Sequence, residues 1–433
     1  MALIAGAAQR NISPTQPMQL AGYPHVPRVS TGVHDPLLAS ALFLANGNQS
    51  ILVCALDLLM LNSDIARRIL RQVAGKLGLQ EAGVFITCSH THSAPVTLEY
   101  LPFANDPAMP TPDPVYLKYC EDQIVAAALD AQHQAQPAEL AWTTADARGV
   151  GGNRHSPDGP TDPEVGVLAV RSAGKLLAVT LIYGMHPTVL HEDSTLVSSD
   201  FPHFARLHLQ EKLGRDLVVL YHTAPCGNQS PRYFVNGQTF AEAERLGRKL
   251  GAAALGSLTN VRAGSSELAC ALRPVKLPRR DLPSVASAEK LLADYKAEFA
   301  RLQSCGAERA QVRTAECSVF GAEAVVELAR LQSTGAVERL LARLEPFEVH
   351  VVQLGDACLA GFPGETFVEY ALELKRRAPR KTFITAYTNG ELQGYIVTPE
   401  AAAAGGYEAA SSMFEPQAGR VLVETALEML SPE

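Results

Sequence analysis

Short, almost continuously apolar runs recur along this 433-residue chain, and they limit what it can fold into. β-Branched residues are frequent in these runs, and a strand without polar alternation is typical of a sheet covered on both faces. The runs predict strands over 39–46, 50–57, 83–89, 165–170, 175–184, 216–222, 347–355 and 381–388.

Helical patterns separate these runs and predict helices over 62–78, 114–133, 202–213, 239–257, 365–378 and 416–429. The alternation predicts an α/β fold, with a mixed β-sheet flanked by helices. Residues 284–343 differ, because they are rich in Ala, Glu, Leu and Arg and carry periodic leucines. They predict a helical hairpin, inserted at about 284–343 into a single domain that spans 1–433.

The charge of the chain argues against two classes of partner. The formal net charge is −8 and no Lys/Arg cluster could follow a phosphate backbone, so neither nucleic acid nor an anionic membrane is expected. The N-terminus, MALIAGAAQR, lacks the basic region of a signal peptide, and no apolar run approaches the ~20 residues that span a bilayer. Eight cysteines without a CxxC pair favour a reduced, cytoplasmic setting.

Two histidines, His90 and His92, stand at the end of the apolar run 83–89. If the strand continues through them, residues i and i+2 point to one side and the two imidazoles project together. Functional groups gather at strand ends in α/β folds. An H-x-H pair alone is a weak signal, and two surface histidines adjacent by chance are the alternative.

The same arrangement occurs twice more. His186 follows the apolar run 175–184, and Glu365 follows the strand-like start of CLAGFPGETF, where it is predicted to lie in the first turn of the next helix. A purely structural alternative for Glu365 is a favourable interaction with the helix dipole. In the loop after His186, Asp200 is predicted to cap a helix, and the other polar residues are predicted to be loop or supporting groups, namely His191, Asp193 and His203.

Further polar groups lie in turn-rich segments. Tyr395 and Tyr407 belong to a Gly-rich stretch, and Arg154 and Arg232 each lie near a Ser-Pro pair, where a guanidinium could position a polar oxygen. Together with the strand-end residues they suggest a zinc site of His, His, Glu and a Tyr, with one position open for water. A water activated in this way could attack an amide carbonyl. Other metals suit the same donors.

At this point the pieces resemble, in the same order and along nearly the whole chain, the neutral/alkaline, non-lysosomal ceramidase family of zinc-dependent amidases. The segments that carry the resemblance are SHTHSAP, NRHSPDGPTDP, GMHPTVL with SSDFPH, GNQSPR, GFPGETF and GYIVTPEAAAAGGYE. The ordered set is far more specific than any one member.

The resemblance implies one Zn²⁺ per chain and a role for each matching residue. The implied zinc ligands are His90, His186, Glu365 and Tyr395. The implied catalytic groups are His92 as acid/base or substrate contact, Arg154 and Tyr407 on the scissile carbonyl, and Ser230 as nucleophile or substrate contact.

The sequence also departs from the family pattern. The aspartate of the family's Gly-Asp-Val-Ser-Pro-Asn segment is absent from GNQSP, Ala94 replaces a glycine, and no C-terminal immunoglobulin-like domain is expected before Glu433. The expected substrate is therefore a small molecule with a linear N-acyl amide, either ceramide-like or smaller and more polar.

Two alternatives to a zinc-dependent amidohydrolase stay open. One is a serine hydrolase that uses Ser230, although GNQSP is not the nucleophile elbow G-x-S-x-G. The other is a non-catalytic metal-binding homologue. Cys226 has no neighbour in the sequence that marks it as an activated nucleophile. The sequence does not specify an oligomeric state.

Overall fold

The computed structural model describes residues 2–431, which fold into mixed β-sheets covered by helices. In chain order the strands are β1 (Ile4–Asn11), β2 (Gly32–Val33), β3 (Leu38–Ala45), β4 (Ser50–Leu56), β5 (Val84–Cys88), β6 (Gln136–Pro137), β7 (Glu139–Asp146), β8 (Gly152–Asn153), β9 (Glu164–Ser172), β10 (Lys175–Tyr183), β11 (Leu196–Val197), β12 (Val218–Thr223), β13 (Gln229–Ser230), β14 (Leu268–Val275), β15 (Phe347–Leu354), β16 (Ala357–Gly361), β17 (Glu365–Thr366), β18 (Thr382–Thr385) and β19 (Tyr395–Ile396). The α-helices are α1 (Ser63–Leu77), α2 (Pro114–His133), α3 (Phe201–Leu213), α4 (Phe240–Ser257), α5 (Val285–Ser304), α6 (Arg309–Ser333), α7 (Ala336–Leu344), α8 (Val368–Arg377), α9 (Pro399–Ala404), α10 (Tyr407–Ala410) and α11 (Gln417–Leu430).

Three larger sheets share one design within the described residues. Their strand orders are β5-β4-β3-β1-β6, β12-β10-β9-β7 and β14-β15-β16-β18. Each ends in a parallel pair, β4 with β5, β10 with β12 and β16 with β18, and its remaining pairs are antiparallel. A parallel pair needs a crossover, and α1, α3 and α8 lie on these connections. The fold therefore contains three βαβ units.

The three sheets face one another across a shared apolar core. Along β4, Ile51 and Val53 enter this shared core, whereas Leu52 and Cys54 join a second cluster that contains buried residues of α1 and α2. Burial of one such aliphatic side chain contributes about 1.5–3 kcal/mol. Two buried faces explain why the strands have no polar alternation, and they confirm the α/β fold with mixed sheets flanked by helices.

Most predicted elements are present with shifts of a few residues at their ends, and α2 coincides with the predicted range 114–133. The predicted hairpin over 284–343 is instead three helices, α5, α6 and α7. Three strands of eight residues escaped prediction, β1, β7 and β14, as did the two-residue strands. In β14 the side chains alternate between exposed and partly or fully buried positions, so no continuous apolar run marks it. Across the described chain, no helix combines the length and apolar character needed to cross a membrane.

One helix start was predicted wrongly. The helix expected from residue 365 begins at Val368, and Glu365 lies in β17, directly opposite Tyr395 of β19 in a parallel pair. Gly364 has a φ of 69°, a left-handed conformation that turns the chain before this short ladder. The partner strand lies 30 residues further along the chain, so a local pattern could not indicate the pairing.

Candidate metal site and active centre

The carboxyl ends of strands from all three sheets are joined by hydrogen bonds. The backbone nitrogen of Ala386, after β18, donates to the carbonyl of Thr223 at the end of β12 over 2.8 Å. The Thr223 hydroxyl donates to the carbonyl of Ser89, after β5, over 2.6 Å. The nitrogen of Ala224 donates to the carbonyl of Tyr183 at the end of β10 over 3.1 Å. Residues that follow these strands therefore share one small region.

His90 and His92 meet in this region, but not for the reason predicted from the sequence. Strand β5 ends at Cys88, and His90 has a φ of 65°, so the chain turns before the pair instead of continuing as a strand. The two imidazoles still approach, with 3.3 Å between their Nε2 atoms. The turn at His90, and not the periodicity of a strand, therefore brings the two imidazoles together.

Backbone carbonyls fix the orientation of two imidazoles. The Nδ1 atom of His90 lies 3.1 Å from the carbonyl oxygen of Leu59, and that of His186 lies 2.7 Å from the carbonyl oxygen of Cys226. A carbonyl oxygen only accepts, so each Nδ1 carries the proton and each Nε2 presents a lone pair. Metal-binding histidines are held in this way by groups behind them.

Both lone pairs face the carboxylate of Glu365. Its Oε1 atom lies 2.7 Å from Nε2 of His186 and 3.5 Å from Nε2 of His90, and the residue is 4% exposed. Burial acts to raise the pKa of Glu365, but His90 and His186 hold it well below its ordinary value. Burial also lowers the pKa of His186, which favours the neutral ligand form. The ionised carboxylate and the two ring nitrogens are held together by positive charge among them, either a shared proton or a metal ion, so these donors fit a metal ion.

His92 completes a group of three imidazoles. One ligand atom each from His90, His92 and His186 lies within 4.8 Å of the others, so the three could hold a metal ion. Unlike the other two, His92 has no hydrogen-bond partner on Nδ1 among the described residues. Burial, together with His90 and His186, lowers its pKa well below the ordinary value. His92 is thus a neutral imidazole whose second nitrogen is not committed to a carbonyl.

A second polar group adjoins Glu365 and contains Arg154 and two tyrosines. The guanidinium of Arg154 lies 5.4 Å from the ring centre of Tyr395, and the ring centres of Tyr395 and Tyr407 are 5.8 Å apart. Nε of Arg154 donates to the carboxylate of Glu408 over 2.6 Å. Burial acts to raise the pKa of Glu408, but Arg154 and His155 lower it to about 2, so this carboxylate stays ionised.

Comparison with known proteins identifies the family of this chain. The model of the family "neutral/alkaline non-lysosomal ceramidase, N-terminal" matches residues 5–237, more than half of the sequence. The chain belongs to this family. The protein is accordingly a hydrolase that acts on linear amide C–N bonds, as the resemblance of its motifs implied.

Solved structures support the fold. A neutral ceramidase from Pseudomonas aeruginosa is similar with a TM-score of 0.76 at 19% identity, over 100% of this chain and 76% of that one. A structure described as a ceramidase complexed with C2 is similar with a TM-score of 0.76 at 17% identity, over 99% of this chain and 75% of that one. No curated protein matches the chain.

Ser230 belongs to the same region, on the short strand β13. Its Oγ accepts a 3.3 Å hydrogen bond from the backbone nitrogen of Arg232. Among the described residues, no hydrogen bond joins this hydroxyl to a histidine. A serine nucleophile is activated by an adjacent base within hydrogen-bond reach, so the geometry does not favour that role. Burial raises the pKa of the Cys226 thiol, which keeps this residue unreactive as well.

Tyr387 and Glu408 are among the supporting residues that sequence analysis missed. The ring of Tyr387 stacks on His90 with 4.1 Å between ring centres and 9° between planes. It follows β18 just as His90 follows β5, so the strand-end rule could have found it. Glu408 has no such signal, because it meets Arg154 across 254 positions of the chain.

The predicted cap of the next helix is confirmed. Asp200 is the N-cap of α3, where its carboxylate accepts hydrogen bonds from the backbone nitrogens of Phe201 over 2.5 Å and Leu190 over 2.8 Å. Burial raises the pKa of Asp200 to about 7. Asp200 therefore holds the loop after His186 in place and does not join the imidazole group.

Proposed function

We propose that this protein is a zinc-dependent amidohydrolase that hydrolyses a linear N-acyl amide, ceramide-like or smaller and more polar. The observation that supports this proposal most directly is that Nε2 of His90 and Nε2 of His186 both face the ionised carboxylate of Glu365. Family membership and the similar ceramidase structures support the amide as the bond cleaved.

The proposed zinc ligands are His90, His186, Glu365 and Tyr395, with one zinc ion per chain. The first three converge through Nε2 and carboxylate oxygen atoms, and Tyr395 lies opposite Glu365 in the β17–β19 ladder. A zinc ion held by these residues would act as a Lewis acid and would lower the pKa of its bound water to roughly 7, which would provide a nucleophile at neutral pH.

The proposed proton carrier is His92. Its Nε2 lies 3.3 Å from Nε2 of His90, and its Nδ1 is free of the carbonyl contacts that fix the other two rings. A neutral imidazole can take a proton from the attacking water and transfer it to the nitrogen of the leaving amine as the C–N bond breaks.

Arg154 and Tyr407 are the proposed partners of the carbonyl oxygen. Burial acts to lower the pKa of Arg154, but Glu408, Tyr395 and Glu365 raise it well above the ordinary value, so the guanidinium stays charged. A charged donor held beside the site favours the negative charge that develops on the oxygen in the transition state. Removing one such donor typically costs about 2.7–4 kcal/mol.

The first experiment is elemental analysis of the purified protein together with turnover of a panel of N-acyl amides. We expect about one zinc per chain in the wild type, and loss of both metal and turnover in His90→Ala and His186→Ala. His133→Ala is a matched control, because His133 is exposed at the end of α2. Normal turnover without metal would overturn the zinc mechanism.

Ser230→Ala separates the remaining alternatives. We expect this variant to retain zinc and to lose only part of its activity. Complete loss with zinc retained would support the serine hydrolase instead. Zinc without hydrolysis of any amide or ester in the panel would support the non-catalytic homologue.

A further inference from the structure

A hairpin near the N-terminus lies against the segment that follows His92. We call residues 18–30 the bracing loop. The loop is closed by a 2.8 Å hydrogen bond from the nitrogen of Leu20 to the carbonyl of Arg28. It is joined to the neighbouring segment by a 2.9 Å bond from the nitrogen of Ala21 to the carbonyl of Ala94. The backbone around His92 is thus held by a separate part of the chain.

Arg28 fastens this arrangement from within. The side chain of Arg28 is buried, and its Nη2 atom donates to the carbonyls of Ala21 over 2.5 Å and His92 over 2.7 Å. Its Nη1 atom donates to the carbonyl of Ser194 over 3.2 Å, in the loop after His186. A buried guanidinium that contacts carbonyl oxygens carries a high desolvation cost. Its hydrogen bonds hold the carbonyl of His92 in a fixed position.

The ring of His92 is enclosed by the same loop. Gly22 has a φ of 100°, and a Cβ atom at this position would lie 2.4 Å from Nδ1 of His92. The ring of Tyr23 meets the imidazole edge-on, with 5.1 Å between ring centres. The hydroxyl of Tyr23 donates to the carbonyl of Leu190 over 3.0 Å, which fixes that ring in turn.

We propose that the bracing loop positions the His92 imidazole for proton transfer, with Gly22 and Arg28 as positioning residues. This inference rests on the proposed function, in which His92 carries the proton. His90 and His186 are oriented by carbonyl acceptors on Nδ1, whereas His92 has no such acceptor among the described residues. Its orientation therefore depends on packing against Gly22 and Tyr23 and on the anchor at its own carbonyl.

The test uses Gly22→Ala, in which the new methyl group displaces the imidazole without removing any functional group. Two substrates with the same acyl chain are compared, an ethanolamide and a p-nitrophenyl ester. The amine must receive a proton as the C–N bond breaks, whereas p-nitrophenolate leaves as a stable anion. A displaced His92 therefore slows the amide selectively. Positioned acid–base catalysis contributes about 10²–10⁴-fold.

We expect kcat/KM of Gly22→Ala to fall about 10²-fold or more for the amide and less than about tenfold for the ester, with zinc content unchanged. Gly174→Ala is the matched control, because Gly174 has a φ of 80° and nothing within 4 Å of the added Cβ. It reports the cost of a left-handed alanine alone, and both activities should stay at the wild-type level. Equal losses on the two substrates, or a loss that follows the zinc content, would overturn the inference.

Arg28→Lys is measured in the same way, because it tests the role of the bracing loop even if Gly22→Ala does not fold. Lysine keeps the charge but cannot reach all three carbonyls, and we again expect a selective loss on the amide. His92→Ala distinguishes a failure of the proposed role of His92 from a failure of the inference about the loop. If His92→Ala slows both substrates equally, the proposed transfer of a proton from His92 to the leaving amine fails. If His92→Ala is selective for the amide but the two loop variants are not, only the inference about the loop fails.

Discussion

Glu365 supplies the carboxylate of the proposed zinc site. The carboxylate faces two imidazole lone pairs at 2.7 and 3.5 Å. In Glu365→Gln the amide keeps the shape, and its N–H group can donate to His186. We expect zinc content and turnover to fall sharply, while the free energy of unfolding of the metal-free protein changes by no more than about 1 kcal/mol.

Metal analysis and urea unfolding in a chelator test this prediction. His186→Ala is the comparison, because it also removes a donor but leaves the carboxylate buried without its partner, which should destabilise the protein. A Glu365→Gln variant with a full complement of zinc and wild-type turnover would show that the carboxylate is not a metal ligand.

For single residues, the sequence indicates those that directly follow strands. It does not indicate the residues that support them through tertiary contacts. His90 and His186 could be predicted, because apolar runs mark the strands and their ends meet in α/β folds. Arg28 and Glu408 act through contacts with residues distant in the chain, at separations of 64 and 254 positions. Tertiary packing decides which polar residues become neighbours, and no local pattern records it.

Among the elements, α6 of the helical insertion lies directly against α10, which begins at Tyr407. A Cβ atom at Gly321 of α6 would lie 3.1 Å from Cα of Tyr407 and 2.9 Å from Cβ of Ala410. The close approach of α6 to α10 thus depends on a missing side chain. Ion pairs also hold α6 in place, including the pair between Arg313 of α6 and Glu192, which lie 3.1 Å apart.

We predict that Gly321→Ala displaces α10, and with it Tyr407, so that kcat falls severalfold while zinc content is unchanged. Gly75→Ala is the matched control, since Gly75 lies in α1 with nothing within 4 Å of the added Cβ. Both changes improve helix propensity by about 0.5–1 kcal/mol. Only Gly75→Ala should keep that gain in urea unfolding. Equal gains with unchanged kcat would contradict the prediction.

The helices of the insertion could be predicted from composition, because Ala, Glu, Leu and Arg all favour helix formation. Their place against α10 could not, because it depends on the single glycine that allows close approach. The same limit applies to the three sheets. Apolar runs predict strands buried on both faces, but they do not indicate how the strands are distributed among sheets that share one core.

At the scale of the whole molecule, one buried carboxyl group links two of the βαβ units. Glu391 follows β18 of the third sheet and accepts hydrogen bonds from the side chains of Asn62, which precedes α1, over 3.0 Å and of Gln393 over 2.6 Å. Burial raises the pKa of Glu391 from 4.5 to about 7. The folded protein therefore keeps a proton between pH 4.5 and about 7 that the unfolded chain has lost.

Stability from this group is consequently complete below pH 4.5 and is lost as the pH rises through about 7. Each pKa unit corresponds to about 1.36 kcal/mol, so the full change is on the order of 3 kcal/mol. Buried histidines such as His222 and His350, whose pKa values are lowered by burial, act in the opposite direction in wild type and variant alike. We therefore predict that the free energy of unfolding of the metal-free wild type falls, relative to that of Glu391→Gln, as the pH rises from about 5 to about 8.5. Urea unfolding of both proteins in a chelator at several pH values measures the two slopes, and all other titratable groups affect both proteins equally. Equal slopes would mean that Glu391 is ionised in the folded protein at neutral pH, and that the hydrogen bonds from Asn62 and Gln393 offset the cost of burying its charge.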